Sequence, residues 1–202
     1  AKWGSYGAGN GAFSSPRGIA VDSSGNVYVS NMGDSNSPPR VQKFSSAGMF
    51  IAEWGSYGSG NGQFTGPSGI AMDINGNLYV ADSGSNRIQK FTSTGEFTVK
   101  WGTDGSGDGE FSLPRGIASD SSGNLYVTDS CNNRIQKFRS DGLFLAEWGN
   151  TGTGPGEFSE PHGIAINGAG NVYVTDFDNN RVQKFTSDGV FVSKWGTYGS
   201  GS

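Results

Sequence analysis

The phrase Arg-(Ile/Val)-Gln-Lys-Phe is written four times, within PPRVQKF at 38–44, SNRIQKF at 85–91, NNRIQKF at 132–138 and NNRVQKF at 179–185. Trp-Gly pairs at Trp3, Trp54, Trp101, Trp148 and Trp195 keep the same register, as do Pro16, Pro67, Pro114 and Pro161, at a stride of 47 after a first interval of 51. The four extra residues fall in NMGDSNSPPR, where later copies have the shorter DSGSNR, DSCNNR and DFDNNR. A strict period of this length means one supersecondary unit copied along the chain, each copy burying its apolar face against the next. The repeat units are 4–54, 55–101, 102–148 and 149–195, and 196–202 reads as the truncated start of a further loop.

Each unit predicts a Gly-rich loop followed by four short strands. The first strand, GIAVD or GIAMD, runs into a turn ending in Gly-Asn (Gly25-Asn26, Gly76-Asn77, Gly123-Asn124, Gly170-Asn171), residues that tolerate the positive φ of tight hairpins. The second, NVYV or NLYV, is a near-continuous apolar run suited to burial on both faces. The third is RIQKF, with Ile and Phe expected on opposite faces. The fourth alternates as in FTVKW, which predicts Phe97, Val99 and Trp101 on one face and Thr98 and Lys100 on the other. Glu53, Lys100, Glu147 and Lys194 give this strand the charge that discourages edge pairing. No helical period is present.

Antiparallel pairing of the second and third strands sets Asp82 against Arg87, Asp129 against Arg134 and Asp176 against Arg181, predicting a salt-bridge latch in each hairpin. The first copy has Asn31 in place of the aspartate, and the last has Asn167 where the others have Asp22, Asp73 and Asp120.

Four antiparallel strands per ~45 residues is the unit of a propeller blade. The predicted fold is therefore an all-β propeller with four four-stranded antiparallel blades per chain. The residues resemble the NHL repeat family, whose pattern is roughly P-x-G-I-A-x-D-x-x-G-N-x-Y-V-x-D-x-x-N-N-R-I-Q-x-F followed by a Gly-rich loop, and the resemblance covers the whole chain in four copies. It implies an interaction domain on a propeller that usually has six blades. Four such blades leave two options besides a strained small ring: an open arc, or assembly into a larger ring. Exposed end faces predict self-association, and two copies supply eight blades.

Composition narrows the partners. Only 33% of residues are hydrophobic, but 35 of the 202 are Gly, which dilute the apolar count without diluting its pattern. A formal charge of −4 and a pI near 4.9 argue against a surface built for nucleic acid. The single Cys excludes an internal disulfide framework. Compartment is left open, with a slight lean towards an extracytoplasmic one. No apolar run approaches the ~20 residues of a membrane helix.

One position beside nearly fixed neighbours varies, in P-x-G at the start of the innermost strand: Arg17, Ser68, Arg115 and His162. These are the ligand-binding candidates at the channel mouth, where two arginines and a His would attract a carboxylate or phosphate. The lyase of the resembling family that cleaves peptidyl-hydroxyglycine takes zinc from channel histidines, one in a context similar to Pro161-His162. Zinc catalysis needs about three protein ligands, and this chain has one His. No metal and no cofactor is expected. Cys131 reads as an incidental surface thiol and DINGN at 73–77 as a turn. The Gly-rich loops, lacking a P-loop lysine and a following helix, read as flexible connectors. Tyr6, Tyr57 and Tyr198 recur in those loops as loop-face binding candidates. The expected function is a non-enzymatic binding or scaffold module for a protein, peptide or carbohydrate. A channel-mouth lyase or hydrolase and a single-stranded RNA binder are the alternatives.

Overall fold

A computed structural model of the chain describes residues 2–199, so part of the loop expected at 196–202 lies outside the described residues. Two short strands, β1 (Ser5–Tyr6) and β2 (Ala12–Phe13), pair in parallel within the first Gly-rich loop. Blade 1 follows as β3 (Pro16–Val21), β4 (Val27–Asn31), β5 (Arg40–Phe44) and β6 (Phe50–Trp54). Blade 2 is β7 (Pro67–Met72), β8 (Leu78–Asp82), β9 (Arg87–Phe91) and β10 (Phe97–Trp101). Blade 3 is β11 (Pro114–Ser119), β12 (Leu125–Asp129), β13 (Arg134–Phe138) and β14 (Phe144–Trp148), and blade 4 is β15 (Pro161–Ile166), β16 (Val172–Asp176), β17 (Arg181–Phe185) and β18 (Phe191–Trp195). Every blade is an antiparallel sheet with its strands in chain order. The only helical segment among the described residues is the 3₁₀ turn Ser83–Ser85. The innermost strands pack in succession, β3 on β7, β7 on β11 and β11 on β15, which sets the blades side by side about an axis.

Three apolar layers hold neighbouring blades together, and all follow one rule. The side of blade 1 facing blade 2 offers Ala20, Tyr28, Val41 and Trp54; blade 2 answers with Ile70, Leu78, Val80 and Phe91, together with Phe64 from its loop. Blades 2–3 and 3–4 repeat this with Tyr79, Ile88 and Trp101, then Tyr126, Ile135 and Trp148. Ile88 therefore packs forwards and Phe91 backwards, on opposite faces of one strand. Each tryptophan meets the third-strand Phe of the next blade, ring centroids 5.9–6.2 Å apart.

The fourth strand departs from the alternation. Phe97 packs towards blade 1 while Trp101 packs towards blade 3, so the two do not share a face as the sequence pattern implies. The cause is a register shift between Phe97 and Val99, repeated at the same place in the other blades. An extra residue in a strand turns the side chains beyond it to the other face.

The end faces lack this cover. Ile19 of blade 1 is 66% exposed where its counterparts Ile70 and Ile117 are 6% and 5% exposed, and Trp195 of blade 4 is 49% exposed.

Candidate functional site at the axial mouth

The repeated phrase does more than close a hairpin. Arg87, Arg134 and Arg181 donate from Nε to Asp82, Asp129 and Asp176 at 3.0, 2.8 and 2.6 Å, with each aspartate fully buried. The guanidinium tips then donate to backbone carbonyls of the Gly-rich loop: Ser59, Gly60 and Gln63 for Arg87, with matching sets for Arg134 and Arg181. The Gln two residues later grips the same loop from both sides, as when Gln89 accepts from Gly62 N and donates to Gln63 O. The loops read from sequence as flexible connectors are thus pinned at several points. Glycine supplies the freedom to turn, while Arg and Gln remove it.

Blade 1 deviates where its sequence does. Asn31 still accepts from Ser14 N at 2.6 Å but offers Arg40 no carboxylate; Arg40 keeps only the fourth-strand pair, with Glu53 at 3.2 Å, that Arg134 makes with Glu147 in addition to its latch. Its Nε is buried without a hydrogen-bond partner among the described residues.

The turns after the first strand lock in a second way. Asp73 accepts from Asn75 N, Asn77 N and Asn77 Nδ2, and from the Tyr79 hydroxyl at 2.8 Å. That arrangement spends the DINGN aspartate on backbone and tyrosine. Burial first, then the Asp73 carboxylate, push the Tyr79 phenol well up from its ordinary value.

Pinned loops and closed hairpins fix the start of each innermost strand. Arg17, Ser68, Arg115 and His162 meet around one cavity of about 310 Å³ on the axis, floored by Gly18, Gly69, Gly116 and Gly163. The glycines have a steric reason: a Cβ on Gly18 would lie 2.6 Å from Ser68 O, and one on Gly69 or Gly116 would collide with the carbonyl of Arg115 or His162. The strands approach too closely for any side chain there. Ser30 and Thr128 add hydroxyl donors to Ser68 O and His162 O, at 2.5 and 2.8 Å, across the blade boundary.

A second cavity of about 240 Å³ opens beside the first, lined by Arg17, Ser68 and Arg115 with Met32, Ser83 and Leu113 among others. Ser68 is small, so the space between the two arginines stays open. Arg17 is exposed, with its guanidinium near the Met32 sulfur at 3.7 Å, and Arg115 Nε is buried with no partner among the described residues. The blade 4 side differs in character. The His162 ring stacks on Phe177 at 4.3 Å, its Nε2 lies 3.4 Å from Glu160, and burial, followed by the Arg115 charge, lowers its pKa.

Sequence reasoning therefore named the four P-x-G residues but missed two flanking positions in each blade. These are the residue before the proline (Ser15, Gly66, Leu113, Glu160) and the residue after the strand-ending Asn or Asp (Met32, Ser83, Ser130, Phe177), which vary as freely from copy to copy. Aligning the copies was the available signal. Ser15, Leu113 and Glu160 also hold positive φ of 55°, 59° and 50°. The amides of Leu113 and Glu160 are tied to the side chains of Asn86 and Asn133. The loop tyrosines lie elsewhere. Tyr57 and Tyr198 are 74% and 90% exposed and line neither cavity, and Tyr6 donates to Asp34 at 2.7 Å. With Ser14 also donating, that carboxyl is held down at about 2. Cys131 is an exposed free thiol.

Comparison with known proteins agrees with this construction. Residues 64–91, 111–138 and 158–185 each match the NHL repeat, ending on the phrase that opened the description. Blades 2 to 4 of this β-propeller are NHL repeats. Its first blade, the one with the longer loop, matches a different beta-propeller repeat over residues 3–38, so the NHL model does not reach all four copies as the sequence pattern suggested. Among solved structures, a catalytically inactive variant of virginiamycin B lyase from Staphylococcus aureus with quinupristin is similar at 20% identity and TM-score 0.65, covering 88% of this chain and 54% of that one. Hydrazine synthase of Kuenenia stuttgartiensis is similar at 15% identity and TM-score 0.66, covering 94% of this chain and 52% of that one. A nidogen/laminin complex is similar at 20% identity and TM-score 0.54, with 90% and 80% covered. At these identities the likeness concerns fold alone. The chain spans about half the length of the lyase it resembles. No helix among the described residues is long and apolar enough to cross a membrane.

Proposed function

We propose that the chain is a non-enzymatic binding module that holds a carboxylate or phosphate group of a protein, peptide or carbohydrate partner at its axial mouth, between Arg17 and Arg115. The observation that carries this reading is the pair of arginines flanking the open space above Ser68, one with a buried donor nitrogen left without a partner. Charged donors of fixed fork geometry match planar or tetrahedral oxyanions, and an unpaired buried donor gains most from receiving one. His162, with Phe177 behind it, lines the adjoining axial cavity that both arginines also border.

The lyase among the structural relatives keeps an enzymatic reading in view. It needs a base aimed at a reacting atom, and the one histidine is engaged with Glu160 and Phe177. Single-stranded RNA is disfavoured by the acidic chain and because the Arg and Lys of the repeated phrase serve loops and neighbouring blades. Titration calorimetry with sulfate and with citrate tests the proposal. The Arg17→Ala/Arg115→Ala variant is expected to lose at least about tenfold in affinity, the value of one charged hydrogen bond. Arg→Lys at either position should recover part of it. Unchanged binding in the double variant would refute the site.

A further inference from the structure

We infer that the two end faces are halves of one interface, and that blade 4 of one chain packs onto blade 1 of a second copy, the pair closing head to tail. This goes beyond the axial site and does not depend on it. The three internal layers supply the template: a forward face of Ala, Tyr, Ile or Val and Trp against a backward face of Ile, Leu or Val, and Phe. Blade 4 presents the forward set as Ala165, Tyr173, Val182 and Trp195, and blade 1 the backward set as Ile19, Val27, Val29 and Phe44. Some of these are more open than their counterparts inside: Tyr28, Tyr79 and Tyr126 are fully buried whereas Tyr173 is only half-buried, and Ile19 is exposed, while Val29 and Phe44 are buried within the single chain.

Two details of blade 4 and one of blade 1 repeat features that serve a neighbouring blade inside the chain. Gly163 continues the glycines that let adjacent innermost strands touch, yet a Cβ there would meet nothing but the Thr175 side chain of its own blade. Lys43, Lys90 and Lys137 cross to the next blade and donate to Ser93 O, Ser140 O and Ser187 O at 3.0–3.2 Å. Lys184 has the same position over its tyrosine ring, 5.7 Å from the centroid of Tyr173, and Ser46 is the carbonyl that a second copy would offer it. On blade 1, Trp3 already lies against Phe44, at 4.7 Å between centroids, in the place that Trp54, Trp101 and Trp148 take inside the chain. Docking therefore exchanges Trp3 for the second copy's Trp195. Two copies give eight blades, within the ~4–8 range that closed propellers adopt, and a head-to-tail contact that closes leaves no face exposed.

Light scattering across a wide concentration range reads the assembly. The wild-type chain is expected to approach twice the chain mass as concentration rises; a monomer at every concentration overturns the proposal and leaves the faces to a different partner. Ile19→Glu/Val21→Glu blocks the head and Ala165→Glu/Val182→Glu blocks the tail, at positions open to solvent or on the open face, and circular dichroism checks that each variant keeps its fold. Each should be monomeric alone, while an equimolar mixture forms a one-to-one pair through the single intact contact. A mixture that stays monomeric, or one blocked variant that pairs with itself, refutes head-to-tail packing. Trp3→Ala should tighten pairing by removing the competitor, and weaker pairing would refute the exchange.

Discussion

Replacing Asn31 by Asp should stabilise the protein, although it adds a charge at a fully buried position. Arg40 is already there, 3% exposed, with a buried Nε that no group among the described residues accepts from. Asn31 and Arg40 are directly paired across β4 and β5, as Asp129 and Arg134 are across β12 and β13. The carboxylate should thus reach Nε as Asp129 reaches Arg134, at about the 2.8 Å seen there. An unmade buried hydrogen bond costs about 1–3 kcal/mol, and one to a charged partner returns about 1.5–3. Against this stand the desolvation of a carboxylate and the loss of the long Asn31 Nδ2 to Pro38 O bond at 3.4 Å, which an oxygen would turn into a repulsion. The net expectation is a gain of about 1–2 kcal/mol, or a melting temperature raised by about 2–8 °C for a chain of this length. Asp129→Asn is the reverse experiment. Its amide would face the donors of Asn132, Arg134 and Gln136 together, and stability should fall by about 2–3 kcal/mol. Calorimetry on both variants decides the matter. If N31D is neutral or destabilising while D129N costs its expected amount, then the latch does not transfer between blades and the argument from repetition is wrong.

Two further outcomes follow from the same geometry. Gly95 and Gly76 both hold positive φ, +92° and +79°, but a Cβ on Gly95 would sit 2.6 Å from the Trp54 ring whereas one on Gly76 meets nothing. G76A should cost about 1–2 kcal/mol, the backbone strain alone, and G95A about 3–5, because the tryptophan between blades must also move; equal losses in urea unfolding would show that the Trp layer is soft. Burial and Arg115 lower the pKa of His162 below the ordinary 6.5 of a histidine, so the fold favours the neutral ring: that contribution is present above 6.5 and is lost as pH falls through the folded value. A bound anion favours the imidazolium, so sulfate affinity should rise as pH drops below 6.5, and a rise just as steep in His162→Gln would remove His162 from the site.

Much of the fold was legible because propeller blades are built from contacts between residues close in sequence. Turn chemistry at Gly-Asn, the buried NVYV strand, and the register that sets Asp82 against Arg87 all lie within one hairpin. What escaped was a matter of one residue or of distance. The bulge after Phe97 reverses a face without altering the alternating pattern, and the pinning of Gly-rich loops by Arg and Gln spans some 25 residues that no periodicity connects. The mouth was half-visible, since P-x-G variation marked Arg17, Ser68, Arg115 and His162 but gave no hint that Met32, Ser83, Leu113 and Phe177 stand beside them.

By itself the sequence determined the repeating strand pattern, its apolar sides and its hydrogen-bonded corners, since each needs only neighbours along the chain. Tertiary structure alone decided which side chains from different blades stand beside the P-x-G residues at the axis, and how far each end face is covered. Those depend on how far each blade is rotated from the last, a quantity set by the packing of Tyr, Trp and Phe between sheets rather than by any residue within one.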